Sequence, residues 1–204
     1  MEDKRIFITP YREGLVERLG ITEEDVLKVF DEKSDKAGFF KRGTGKKLRK
    51  RCTPIEKFAY PVDQIIAVHD EQHPDEKIDR SPLAAISGWF LVNAGGAYGV
   101  LLIYEHEAFI LHQRFGANFG FAGLAASAKD LTAKMPIDLR KLTKGNELKK
   151  TSVFSYLHYG RFAFYVCSPL EVLHGMIMAK RICDGDPAEV TGNEVLDAAR
   201  EMAL

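Results

Sequence analysis

From Leu83 to Tyr104 the chain reads LAAISGWFLVNAGGAYGVLLIY, without one charged residue. An uncharged stretch of that length either spans a bilayer or lies in the middle of a protein core. Asn93 at mid-span, four glycines and a change from helix-like to strand-like patterning near Gly95–Gly96 favour the core. We read a buried helix followed by a core strand, with a membrane span as the disfavoured alternative.

The rest of the chain can surround such a core. At 204 residues, with 46 % hydrophobic and 28 % charged residues, it is expected to form one soluble fold that buries roughly 70 % of its unfolded surface. The expected organisation is a single domain over 1–204, made of a helical N-terminal piece (1–36), a basic loop (37–52) and an α+β core (53–204). Cys52, Cys167 and Cys183 are odd in number and contain no C-x-x-C pair, so neither a disulfide framework nor a thiolate zinc site is indicated. The opening MEDKRIFITP lacks the apolar core of a secretory signal, and the expected compartment is cytoplasmic.

Local signals give most of the elements. Arg5–Thr9 reads as a short strand stopped by Pro10, Tyr11–Leu19 as a helix ended by Gly20, and Thr22–Glu32 as a helix capped by Thr22 and Asp25. Thr53-Pro54-Ile55-Glu56 and Ser168-Pro169-Leu170-Glu171 each combine a cap residue, a proline at the first helical position and a glutamate at the third. The second of these opens Pro169–Cys183, closed by Asp184-Gly185, and Thr191 with Glu194 opens Asn193–Ala203. Gln64–Val68, rich in β-branched residues, reads as a strand. Tyr98–Glu105 and Ala108–Arg114 form one hairpin, Ser152–His158 and Phe162–Cys167 a second, and Leu124–Lys134 a helix. Hairpins and helices are segregated, so the fold class is α+β: an antiparallel sheet of two hairpins with helices on one face, plus the helical N-terminal piece.

Charge is zero in sum and uneven in place. The segment KRGTGKKLRKRC (41–52) holds Lys41, Arg42, Lys46, Lys47, Arg49, Lys50 and Arg51; with these seven of the 29 bases inside it, 22 remain against 29 acids elsewhere. A P-loop is excluded, because Phe40 and Lys47 stand where glycine and Ser or Thr are required. Seven cations, two glycines and the adjacent Phe39 and Phe40 suit phosphate contact with base stacking, so a nucleic acid or other polyanion is the expected partner, bound without sequence preference. KKLRKR also fits a nuclear-import signal in a eukaryotic setting. The bland alternative is a solvated loop matched internally by the acidic body.

Other candidate sites are sparser. His69, Asp70, Glu71 and His73 place two imidazoles four residues apart, a spacing that on a helix suits a divalent metal or acid/base chemistry. Asp70 replaces the glutamate of the zincin pattern, however, and Pro74 disfavours helix at His73. The glycine-rich FGANFGFAG (115–123) lies between a strand and a helix, where a cofactor pyrophosphate could bind, though its glycine spacing matches no dinucleotide fingerprint. His112 and His158 would meet on one sheet face with Cys167 or Glu105, as nucleophile and base, if the two hairpins were neighbours. His174 lies on an apolar stripe with Leu170, Leu173 and Ile177 and reads as a core histidine. The leading functional expectation is non-specific nucleic-acid binding through residues 39–51. The alternatives are an enzyme acting on a phosphorylated or nucleotide substrate with a His/Asp/Glu site, metal-dependent or not, and a protein-interaction module whose N-terminal helices meet a partner.

Overall fold

In a computed structural model, residues 10–36, 62–92, 95–114, 132–144, 157–159, 162–166 and 168–202 are described. They form α1 (Pro10–Leu19), α2 (Glu23–Lys36), α3 (Val62–Gln72), β1 (Ala84–Val92), β2 (Gly95–Ile103), β3 (Ala108–Arg114), β4 (Thr132–Pro136), a 3₁₀ turn (Leu139–Lys141), β5 (Leu142–Lys144), β6 (Leu157–Tyr159), β7 (Phe162–Val166), α4 (Pro169–Asp184) and α5 (Gly192–Met202). The seven strands make one sheet in the order β4-β3-β2-β1-β7-β6-β5. Each neighbouring pair runs antiparallel, which makes the class α+β. The expected strand Arg5–Thr9 and helix from Thr53 lie outside the described residues.

The uncharged run is a hairpin rather than a helix followed by a strand: β1 pairs with β2 from Ala84↔Ile103 to Val92↔Gly95. The reason is burial on both faces. Ala84, Ile86, Leu101, Ile103, Ala108 and Ile110 enter one core, while Ala85, Val100, Leu102, Phe109 and Leu111 enter a second. A strand covered on both sides loses its polar alternation and cannot be told from a buried helix by periodicity. No helix among the described residues is long and apolar enough to cross a membrane.

The first core is closed by α1, α2, α4 and α5 through Leu15, Val26, Phe30, Leu170, Leu173 and Val195. The second is closed by α3 through Val62, Ile65 and Ile66, so helices cover both faces of the sheet and not one. Gln64–Val68 is accordingly part of a helix, not a strand. Val62, Ile65, Ile66 and His69 recur at helical spacing and all are buried, and packing of that stripe outweighs the β preference of Ile and Val. The expected helix 124–134 is likewise corrected at its end, where Thr132–Pro136 pairs with β3.

The sheet must also coil strongly. β4 and β5 are its two edges, yet the chain passes from Pro136 to Leu142 through residues 137–141 alone. That link reaches about 20 Å at full extension, whereas six strand spacings of about 4.8 Å would separate the edges of a flat sheet by about 29 Å. Curvature brings the edges toward each other. Met135, Ile137, Leu139 and Leu142, along this link, pack against the first core.

Capping follows the sequence closely. Thr22 N–H donates to Asp25 Oδ2 at 2.8 Å and Asp25 N–H to Thr22 Oγ1 at 3.3 Å, and Thr191 and Glu194 repeat the exchange at 2.8 and 3.4 Å. Gly185 closes α4 at φ 80°. At the start of α5, a Cβ on Gly192 would collide with the carbonyl oxygen of Leu19, which is backbone and cannot move alone. Gly192→Ala should therefore cost about 2 kcal/mol or more. Gly14→Ala in α1, where nothing lies within 4 Å, should stabilise by about 0.5–1 kcal/mol. Urea denaturation of the two variants checks both signs.

Candidate functional site

The nucleic-acid candidates Phe39, Phe40, Lys41, Arg42, Lys46, Lys47, Arg49, Lys50 and Arg51 lie outside the described residues, as does the glycine-rich 115–123. The ends of their segment are fixed: Lys36 ends α2 and Val62 begins α3. Because α2 packs in the first core and α3 in the second, the chain changes faces of the sheet between them.

The metal and acid/base candidates fall on α3 and just beyond it. His69 is in the last turn, 1 % exposed, with its ring beside that of His73 in a tilted arrangement, 4.7 Å between centroids and 34° between planes. The helix stops at Gln72, as Pro74 requires, although His73 N–H still reaches His69 O at 2.8 Å. Burial first, then the neighbouring His73, hold the His69 pKa below its ordinary value, with Asp70 opposing. His69 Nδ1 lies 3.8 Å from Asp70 Oδ1, beyond hydrogen-bond range.

Asp70 is committed elsewhere. Its Oδ1 accepts the Ile78 N–H at 2.9 Å and its Oδ2 faces Arg80 at 3.4 Å. Burial disfavours its charged form, but the Ile78 N–H, Arg80 and His69 outweigh that and keep the carboxyl below the usual range. Glu71 is exposed. Among the described residues no group of three or more His, Cys, Asp or Glu side chains is arranged to hold a metal ion. His69 and His73 thus form a tilted imidazole pair beside Asp70, whose carboxylate anchors the following segment.

The sheet histidines do not become neighbours. β2, β1 and β7 stand between β3, which carries His112, and β6, which carries His158. The two expected hairpins are not neighbours, because β1 lies between β2 and β7 and pairs with β7 at Gly88↔Val166, Trp89↔Tyr165 and Phe90↔Phe164. Glu105 is exposed in the β2–β3 turn, and Cys167 lies outside the described residues.

A buried polar cluster at the start of α4 has no counterpart in the sequence expectations. Ser168 caps the helix by accepting the Glu171 N–H at 3.1 Å. The Glu171 side chain, 1 % exposed, crosses to β1 and accepts from Ser87 N–H at 3.0 Å and Ser87 Oγ at 2.7 Å. Glu23, from the first turn of α2, accepts from Ser168 Oγ at 2.8 Å and Leu170 N–H at 3.3 Å. Two carboxylates from different elements thus satisfy donors at one helix N-terminus and at the strand beside it. The S-P-x-E signature locates Ser168 and Glu171 but carries no information about Glu23 or Ser87, which lie 145 and 84 residues from their partners.

His174, one turn further along α4, is 3 % exposed, and its Nδ1 finds no hydrogen-bond partner among the described residues. Burial, then the positive charge of Arg18, lower its pKa from 6.5 to about 4. The unfolded chain therefore binds a proton that the folded one refuses between those values, and stability falls as pH drops through that window. The loss should reach on the order of 3 kcal/mol by pH 4. Urea midpoints at pH 7 and 4.5 should differ markedly less in His174→Leu than in the parent; an identical acid loss in both would show that His174 does not carry it.

Comparison with protein-family models, curated proteins and solved structures found no match.

Proposed function

We propose that the protein binds nucleic acid, or a polyanion of similar charge density, through the phosphate-contacting segment 39–51, without reading sequence. The observation that carries this reading is the charge layout: seven cations and no acid within residues 41–51 of a chain whose net charge is zero. Counterion release from a phosphate backbone rewards such a cluster, and the flanking Phe39 and Phe40 add stacking surface for unpaired bases.

Several cations of the described residues are already engaged in local pairs, with Lys28 on Asp25 at 3.4 Å, Lys134 on Glu107 at 3.1 Å, Lys141 on Asp138 at 3.7 Å, and Arg181 on Glu194, which supports the reading by leaving the basic run as the densest cluster of positive charge in the sequence.

Replacing Lys46, Lys47, Arg49 and Lys50 by alanine should weaken binding to duplexes of unrelated sequence alike. It should also flatten the slope of log K against log salt by up to about 3.6, at about 0.9 for each of four phosphates that are no longer neutralised. Fluorescence anisotropy at 50–200 mM salt checks this. An unchanged slope, or no binding by the parent chain at the lowest salt, would overturn it.

A further inference from the structure

Positive charge is scarce in the described part of the chain and collects in one place. Residues 10–36, 62–92, 95–114 and 168–202 each hold more Asp and Glu than Lys and Arg, and β6 and β7 hold none of the four. Residues 132–144, which carry β4, the 3₁₀ turn and β5, hold Lys134, Arg140, Lys141 and Lys144 against Asp138 alone. The same residues connect the two edges of the sheet.

The turn between the edges is firmly held. Ile137 N–H donates to Ala108 O at 2.8 Å and Lys141 N–H to Asp138 O at 2.9 Å. Asp138 Oδ1 caps the turn by accepting the Arg140 N–H at 3.1 Å, and Leu139 and Leu142 pack against the first core. Arg140 and Lys141 stand exposed between those two apolar anchors. A 3₁₀ turn advances about 120° per residue, so the two side chains diverge and reach separate partners. Arg140 has no carboxylate partner among the described residues. Lys141 faces Asp138 Oδ2 at 3.7 Å, but the two side chains are 71 % and 42 % exposed, and so wet a pair is worth little. Lys134 is more committed, to Glu107 at 3.1 Å and to the Phe109 ring.

We propose, resting on the reading of residues 39–51 as a phosphate-contacting segment, that the β4–β5 link is a second contact to the same nucleic acid, with Arg140 and Lys141 each taking one backbone phosphate. The guanidinium meets phosphate oxygens with two parallel N–H bonds, and the ammonium acts as a point charge. Duplex nucleic acid carries one charge per about 1.7 Å of axis, so neighbouring phosphates offer each side chain a partner whatever the base sequence. The turn is already ordered, so binding there fixes only two side chains. The net-negative charge of the other segments disfavours a polyanion elsewhere on the described residues.

The test is fluorescence anisotropy of the full chain on duplexes of unrelated sequence, over the salt range used for the basic run. Arg140→Ala with Lys141→Ala should weaken binding to every duplex and flatten the slope of log K against log salt by up to about 1.8, at about 0.9 for each of two phosphates. Lys77→Ala with Lys180→Ala removes two exposed cations from net-negative segments and should leave the slope unchanged. All four side chains are exposed, so neither variant disturbs a core. An unchanged slope in the link variant, while the Lys46, Lys47, Arg49 and Lys50 variant loses affinity, would overturn the link and leave the reading of 39–51 standing. A flatter slope in the link variant alone would uphold the link and overturn that reading. Equal flattening in the Lys77 and Lys180 variant would show diffuse attraction and overturn the link, and no binding by the parent chain would overturn both.

Discussion

The buried carboxylate of Glu171 fixes the relation between the main helix and the sheet. β7 stops opposite Gly88, and the next N–H of β1, that of Ser87, would be left without a strand partner deep in the protein. Glu171 supplies the acceptor, so α4 begins just after β7 ends and continues the hydrogen bonding of the interior strand β1 with a side chain. A buried donor left unsatisfied costs about 1–3 kcal/mol, more where a charged partner is removed. Glu23 ties α2 to the same point, so the N-terminal helices are joined to the core by polar bonds as well as by Val26 and Phe30.

How much of this was legible in the sequence depends on how local each cause is. The caps at Thr22, Ser168 and Thr191 depend on residues three positions apart and appear as expected. So does the Tyr98–Arg114 hairpin, where Tyr104 N–H closes on Glu107 O at 2.8 Å. The first half of the uncharged run was misleading because two cores, not one, hide its side chains. Residues 64–68 were misleading because the packing of Val62, Ile65, Ile66 and His69 decides the conformation there, and intrinsic preference is the weaker force. Ser87 and Glu23 carry no local mark at all; their roles exist only once distant elements meet.

The same division runs through the candidate sites. His69 and His73 lie with their rings 4.7 Å apart, but Asp70 beside them is engaged by Ile78 and Arg80, which spacing could not reveal. The basic run lies in sequence between α2 and α3, which pack in different cores. A chain with a neutral total charge thus carries a concentrated run of cations in its sequence, while its described cores are held by apolar packing and short polar ties.

The tie between Glu171 and Ser87 is tested most directly by a double-mutant cycle of Glu171→Ala and Ser87→Ala, with unfolding free energies from urea denaturation. The expected coupling is about 1.5–3 kcal/mol, as for a buried hydrogen bond to a charged group. A coupling below about 0.5 kcal/mol would contradict the claim that the Glu171 carboxylate joins α4 to the sheet.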